Sequence, residues 1–311
     1  MRVYQGLILV ILLLLCAFFA ITSDVFLTWA NVLNIFTATS TIGLLAIGAA
    51  FVIGAGGLDL SVGSLMAFSA ITGVMVAPES STTSVPLILF VCLATGLFAG
   101  AINGSLIGGM KLPAFIVTLG MLSIARGLAL IFSNGRPVYG LPEGLVFLGQ
   151  GRIGGVPIPV MVFLATGFVA HILLGRTRFG RHSLAIGDNE QASCNAGIQI
   201  FRYKVTLYAL SGLLAAMAVI LSMSRVNAAD PSSGMMYELT AITAAIIGGT
   251  SLSGGRASVA GAMIGALIMG VLQNGMTLMN VPAYYQQVAV GIVLIAAVTF
   301  GKCRGVHASK N

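Results

Sequence analysis

Charge is what this chain has least of. Asp, Glu, Lys and Arg together make 7% of its 311 residues, against a hydrophobic share of 58%, and the mean hydropathy is +1.03. Soluble domains carry about a quarter charged residues, so that class is excluded and the chain reads as an integral membrane protein. Acids are scarcer still, eight in all and mainly in loops, which leaves active-site acid–base chemistry little to work with. No GxSxG, HExxH or pair of carboxylates at helical spacing occurs. A phosphate-binding loop is also missing. The nearest piece, Phe300-Gly301-Lys302-Cys303, lacks the upstream glycine and the hydroxyl residue such a loop needs. No catalytic residue is nominated, and any pumping must draw its energy from outside the chain. The four cysteines (Cys16, Cys92, Cys194, Cys303) form no CxxC pair, and the three histidines share no ligand spacing. Neither a disulfide framework nor a structural metal is expected. The net charge of +7 is not read as a nucleic-acid signal, because basic residues of membrane proteins collect on cytoplasmic loops.

What the chain does have is long apolar runs, too long for barrel strands, so the fold class is all-α. Ten runs are counted. Residues 7–21 form the first, read as an uncleaved helix because more spans follow at once. Residues 24–41 are mixed and read as an external connector. Residues 42–77 hold two spans around one charge. Spans four to seven follow at 86–109, 114–132, 156–175 and 205–224. The eighth, at 238–249, is short, and the last two fall at 257–279 and 288–300. The connections 78–84, 133–155 and 225–237 are polar, and 176–204 is the longest polar stretch. Ten spans place both termini on one side. With the termini cytoplasmic, eleven basic residues lie inside, three (Arg136, Arg152, Arg225) lie outside, and Arg126 sits within a span. That asymmetry agrees with the positive-inside rule. The whole chain, 1–311, is then a single transmembrane domain with a cytoplasmic segment at 176–204.

The chain is organised around Gly56-Gly57-Leu58-Asp59-Leu60-Ser61-Val62-Gly63. Paired glycines interrupt a helix, and an acid beside such a break between spans needs a partner, a watery path or the interface. Two readings stand. Asp59 is the N-cap of the next helix, helped by Ser61, or the break lines a path for a polar solute. The pattern is echoed at Gly248-Gly249-x-x-Leu252-Ser253-x-Gly255, which lies 192 positions on (248 less 56) and contains Ser251. Paired breaks in corresponding positions are common in transporters built from repeats. Arg126 either snorkels or pairs with Asp59. Asn103, Gln273 and Asn274 either bind a hydroxylated solute or join helices to one another. Glu238 reads as interfacial.

Segment 176–204 is too long for a plain turn. Asp188 or Asn189 can cap a short helix with Glu190 in its first turn, and Asn195-Ala196-Gly197 can end it. Gly187 and Gly197 would bracket about two to three turns. Such a helix on the cytoplasmic face offers a handle to a soluble partner. The alternative is a solvated loop whose arginines only set topology.

Three stretches resemble one family: the break at 56–63, the run from Phe179-Gly180-Arg181 through Ala185-Ile186-Gly187-Asp188-Asn189 to Ala196-Gly197-Ile198, and Gly248-Gly249-Thr250-Ser251-Leu252-Ser253-Gly254-Gly255-Arg256. Pro113-Ala114-Phe115-Ile116-Val117-Thr118-Leu119-Gly120 is similar to it as well. The family is the permease subunit of bacterial ABC importers for monosaccharides, of the ribose, xylose and galactose type. Two departures occur: Gly254-Gly255-Arg256-Ala257 where Gly-Gly-x-Gly is usual, and Asp188 where a second Asn or Gly is common. The resemblance implies a homodimer, or a heterodimer with a like subunit, in the bacterial inner membrane. It implies ATPase subunits, carrying ATP and magnesium, docked on one side and a periplasmic sugar-binding protein on the other. It makes Arg181, Gly187, Asp188, Asn189, Glu190, Ala192 and Gly197 the coupling surface. The path would draw on Gly56, Gly57, Asp59, Ser61, Asn103, Arg126, Gly248, Gly249, Ser251, Ser253, Gln273 and Asn274. Two competing readings are an ion-coupled secondary transporter using Asp59 and an ABC permease for a branched-chain amino acid.

Overall fold

The computed structural model describes residues 2–76 and 84–308, so most of the expected polar loop at 78–84 lies outside the described residues. In chain order the helices are α1 (Arg2–Thr22), α2 (Trp29–Gly54), α3 (Val62–Met75), α4 (Ser84–Gly109), α5 (Ala114–Phe132), α6 (Glu143–Gln150) and α7 (Ile158–Arg176). Then come α8 (Arg178–Asp188), α9 (Glu190–Asn195), α10 (Ile200–Val226), α11 (Tyr237–Ile247), α12 (Val259–Leu278) and α13 (Ala283–Ala308). Four two-residue strands make small antiparallel ladders: β1 (Val138–Tyr139) with β4 (Ala228–Ala229), and β2 (Arg152–Ile153) with β3 (Val156–Pro157).

Among the described residues, six helices, α2, α4, α5, α7, α10 and α12, are long and apolar enough to cross a membrane. Four shorter apolar stretches, Ile8–Thr22, Val62–Met75, Tyr237–Ile247 and Ala283–Thr299, fall on the remaining four runs read from the sequence. The structure moves three boundaries. Residues 24–41 are not a connector for most of their length, because α2 begins at Trp29. Thr28 caps it by accepting from the Asn31 N–H, and the Thr37 and Ser40 hydroxyls donate to carbonyls four residues back. Polar residues that look like loop in sequence are thereby satisfied within a helix. The stretch 133–155 contains α6, and α10 begins at Ile200, which carries Arg202 and Lys204 into a helix.

Helix α2 is the central element, continuously buried from Thr39 to Gly54. Small residues along α4 let it lie directly on α10: a Cβ at Gly100 or Gly104 would run into the backbone of Tyr208 or of Lys204 and Val205. Both breaks end in the same way. Gly56, at φ +77°, donates to Ile53 O, and the Gly57 N–H donates to Val52 O. Gly249, at φ +92°, donates to Ile246 O, and the Thr250 N–H donates to Ala245 O. Each is a Schellman stop. The structural offset is 193 (249 less 56) rather than the 192 of the sequence echo, so the match of glycine pairs is one residue out of register.

The segments after the stops differ. After Gly57 the chain runs through 58–61 to α3, which has 14 residues and is about 21 Å long. Helix α11 has 11 residues, about 17 Å, against a hydrocarbon core of about 30 Å. The two short helices start against each other. A Cβ on Gly63, in the first turn of α3, would strike Gly234 O and the Glu238 carboxylate.

Candidate functional site

Asp59 is 4% exposed. Its Oδ1 accepts from the Ser61 N–H at 3.0 Å and from Ser61 Oγ at 2.6 Å, and its Oδ2 accepts from Ser211 Oγ at 2.8 Å. Asn103 Nδ2 donates to Ser61 Oγ at 3.0 Å, while Asn103 Oδ1 is buried with no partner among the described residues. The preceding carbonyl, Leu58 O, accepts from Tyr208 Oη at 3.3 Å and Thr118 Oγ1 at 3.4 Å. Helices α5 and α10 therefore reach the backbone between α2 and α3, and α4 reaches the Ser61 hydroxyl there. The N-cap position of α3 belongs to Ser61, whose side chain makes no cap bond because its hydroxyl is turned to Asp59. Asp59 organises the break by an Asx turn instead of capping the helix itself. Tyr208 and Ser211 were not singled out from sequence. Their only signal there is a Tyr and a Ser three apart on an apolar helix.

Arg126 does not pair with Asp59. Its Nη1 donates to Pro231 O at 2.6 Å and Ser233 O at 2.9 Å, and its Nη2 donates to Gly63 O at 3.3 Å. The acids close enough to act on it electrostatically are Glu238 and Asp230. The guanidinium, a planar fork of five donors, clasps the turn before α11 to the first turn of α3. Glu238 sits at this meeting of helix starts, where a carboxylate complements the partial positive charge of both N-termini.

The polar segment is two helices, not one. Thr177 caps α8 by accepting from the Gly180 N–H, and the sequence predicts no helix there. Phe179 lies between Phe51 and Tyr203, with ring centroids 6.3 and 5.7 Å away, and His182 Nδ1 is 2.7 Å from Tyr203 Oη. This fastens α8 to α2 and α10. Asn189 caps α9 by accepting from the Ala192 N–H at 2.9 Å. Glu190, in its first turn, pairs with Lys204 at 2.8 Å. Gly197, at φ +82°, ends it with another Schellman pair, Gly197 N–H to Cys194 O and Ile198 N–H to Ser193 O. The helix between has six residues, shorter than the two to three turns expected, because Gly187 lies inside α8. Arg181, Asp188, Asn189, Glu190, Ala192 and Gly197 are exposed. Gly187 is not: its backbone is packed on the end of α2.

The nominated path residues fall in four places. Asp59, Ser61 and Asn103 share the buried network. Arg126 forms the clasp. Gly56, Gly57, Gly248, Gly249, Ser251 and Ser253 belong to the two stops and the turn after the second. There the Ser251 and Ser253 hydroxyls lie 2.8 Å apart and the Gly255 N–H donates to Gly54 O at 3.0 Å. Asn274 joins α12 to α2 through a reciprocal amide pair with Asn31, at 3.0 and 2.9 Å. Gln273 is beside it and its carbonyl accepts from Thr277 Oγ1. A cleft of about 200 Å³ opens between the first stop, the α4–α5 turn and the Glu190–Lys204 pair, with Tyr208 in its wall.

Interrupted helices, half-length helices meeting end to end and a fastened polar segment define a multi-pass helical membrane protein with the parts of a transporter. The chain belongs to the family described as "Branched-chain amino acid transport system / permease component", whose model matches residues 31–298. It is 41% identical to the ribose import permease protein of Bacillus subtilis, over 92% of this chain and 89% of that one. It is 39% identical to the ribose import permease protein of Escherichia coli K12, over 93% and 91%. The L-arabinose ABC transporter permease protein of Azospirillum brasilense is 36% identical over 96% and 87%. No solved structure matches the chain.

Proposed function

We propose that this chain is the membrane-spanning permease subunit of an ATP-driven importer and forms the path for a neutral, ribose-like monosaccharide. The observation that carries this reading is the likeness to sugar-import permeases over more than nine-tenths of the chain. The geometry supports it. The only charges deep among the spans singled out for a solute, Asp59 and Arg126, are each satisfied within the chain and do not face one another. A zwitterionic amino acid would want such a matched pair. A hydroxyl-rich neutral solute does not. An ion-coupled mechanism would need Asp59 open to an ion, and its oxygens are occupied by Ser61 and Ser211.

In the assembly, the exposed α9 surface docks an ATPase subunit that carries the ATP and magnesium, and a periplasmic binding protein delivers the sugar. Two permease copies, or one with a related chain, complete the path. The ten apolar helices all span the bacterial inner membrane, with both termini in the cytoplasm. One packing pattern favours this sidedness. Lys111, Arg176, Arg178, Arg181, Arg202, Lys204 and Arg256 gather at the end that holds both stops and α8–α9, while Arg136, Arg152 and Arg225 gather at the β1–β4 end.

The test is uptake of radiolabelled D-ribose by a bacterial host deleted for its own ribose importer. The chain is expressed with an ATPase subunit and a binding protein of the ribose type. Saturable uptake that needs all three chains is expected. Uptake that persists without the ATPase subunit would refute the assignment.

A further inference from the structure

Resting on the importer reading, we infer that Gly187 is the knuckle through which the α8–α9 segment holds and moves both helix breaks at once. Gly187 is the penultimate residue of α8. A Cβ built there would overlap Gly54 O at the end of α2, and would lie 2.8 Å from Gly255 N and 2.9 Å from Ala55 C. From the other side, a Cβ on Gly254 would strike Gly187 O, and one on Gly56 would sit 3.4 Å from Gly187 Cα. The Gly255 N–H donates to Gly54 O at 3.0 Å. Three backbones thus touch at one point with no side chain between them: the first stop, the turn after the second stop, and α8.

The surroundings make this contact rigid on one side and addressable on the other. Helix α8 is anchored by buried Ser183 and Ile186, by Phe179 between two rings and by the His182–Tyr203 bond. Leu184 reaches the same junction, its Cδ2 lying 3.1 Å from a Cβ built on Gly54. Three residues beyond Gly187 the exposed α9 begins. Displacement applied to α9 therefore arrives at Gly187 within three residues, while the Glu190–Lys204 pair carries it to α10. From Gly187 it has two outlets. One is the non-helical 57–61 segment that leads through Asp59 to α3. The other is the C-terminal end of α11. Those two short helices meet again at Arg126, so the knuckle and the clasp close a loop around the pair. Packed cores switch between discrete arrangements more readily than they deform, and a backbone-on-backbone contact passes a small shift without loss to rotamer changes.

The experiment uses the complete importer in proteoliposomes: permease, ATPase subunit and D-ribose-loaded binding protein. Gly187→Ala inserts a methyl group at the contact. Leu184→Ala removes atoms from it and strains nothing. Glu190→Arg serves as a docking control on exposed α9. For Gly187→Ala, recovery of the ATPase subunit in pull-down should stay within about twofold of wild type, while ribose moved per ATP hydrolysed falls about ten- to a hundredfold, the scale of an ångström-level misplacement. Leu184→Ala should lower the same ratio, with basal ATP hydrolysis per docked ATPase unchanged. Glu190→Arg should lose docking and transport in parallel. The inference is overturned if Gly187→Ala couples like wild type, or if both variants lose docking and coupling in the same proportion. If Gly187→Ala does not fold, Leu184→Ala decides: normal coupling there overturns it. Wild-type complex without ATP-dependent uptake would instead sink the importer reading.

Discussion

Asp59 and Arg126 are both charges among membrane helices, and each is held by a different device. Asp59 collects donors from its own break and from α10; Arg126 collects carbonyls from two helix starts. Ser211→Ala removes one bond to the carboxylate and should destabilise the detergent-solubilised protein by about 1.5–3 kcal/mol, the range for a bond to a charged group. Asp59→Asn should cost more, because its new amide N–H₂ must face a hydroxyl or N–H that was donating. The double variant should cost less than the sum, since both changes break the same contact. Arg126→Lys keeps charge but cannot span three carbonyls, so it should recover little of the stability lost in Arg126→Met. Because Arg126 does not touch Asp59, Arg126→Met and Asp59→Asn should add within about 0.5 kcal/mol. Thermal or denaturant unfolding of the four single and two double variants measures all of this. A strong coupling between positions 59 and 126 would contradict the described geometry.

At the scale of elements, α9 was legible in sequence and α8 was not. Asn189, Glu190 and Gly197 are a cap, a first-turn acid and a left-handed stop, three local signals in the expected order. Helix α8 has a local start signal in Thr177, but what fixes it is tertiary: Phe179 against Phe51, which lies 128 positions earlier (179 less 51). The same contrast explains the breaks. Glycine pairs announce an interruption, yet whether Gly248 or Gly249 turns left-handed depends on where α11 runs out of carbonyl partners. The start of α2 was misjudged because Asn31, Thr37 and Ser40 look like loop until Asn274 and the i−4 carbonyls take them up. For the Glu190–Lys204 pair, whose glutamate is exposed and whose lysine is half-buried, Glu190→Ala should change stability by less than about 1 kcal/mol. A larger loss in unfolding would mean that this pair fastens α9 to α10 and is not merely a surface feature.

At the scale of the whole molecule, sidedness can be read from a native residue. Cys194 is exposed on α9, whereas Cys16 is half-buried and Cys92 buried. In a variant keeping Cys194 alone, a membrane-impermeant thiol reagent should leave intact cells unlabelled and label them after permeabilisation. Cysteine at Ser232, at the opposite end, should react without permeabilisation. The reverse pattern would overturn the cytoplasmic placement of α8–α9. Burial makes Ser193 a poor site for the same assay, although its neighbours are exposed.

The central claim is that this chain carries a neutral sugar and takes its energy from another subunit. The most direct measurement is D-ribose uptake into proteoliposomes containing the permease, an ATPase subunit and the binding protein, under two energy sources applied separately. With ATP and magnesium supplied on the ATPase side and no ion gradient, ribose should accumulate. With a proton or sodium gradient and no ATP, the internal concentration should not rise above the external one. Accumulation driven by the gradient alone, in liposomes lacking the ATPase subunit, would contradict the account.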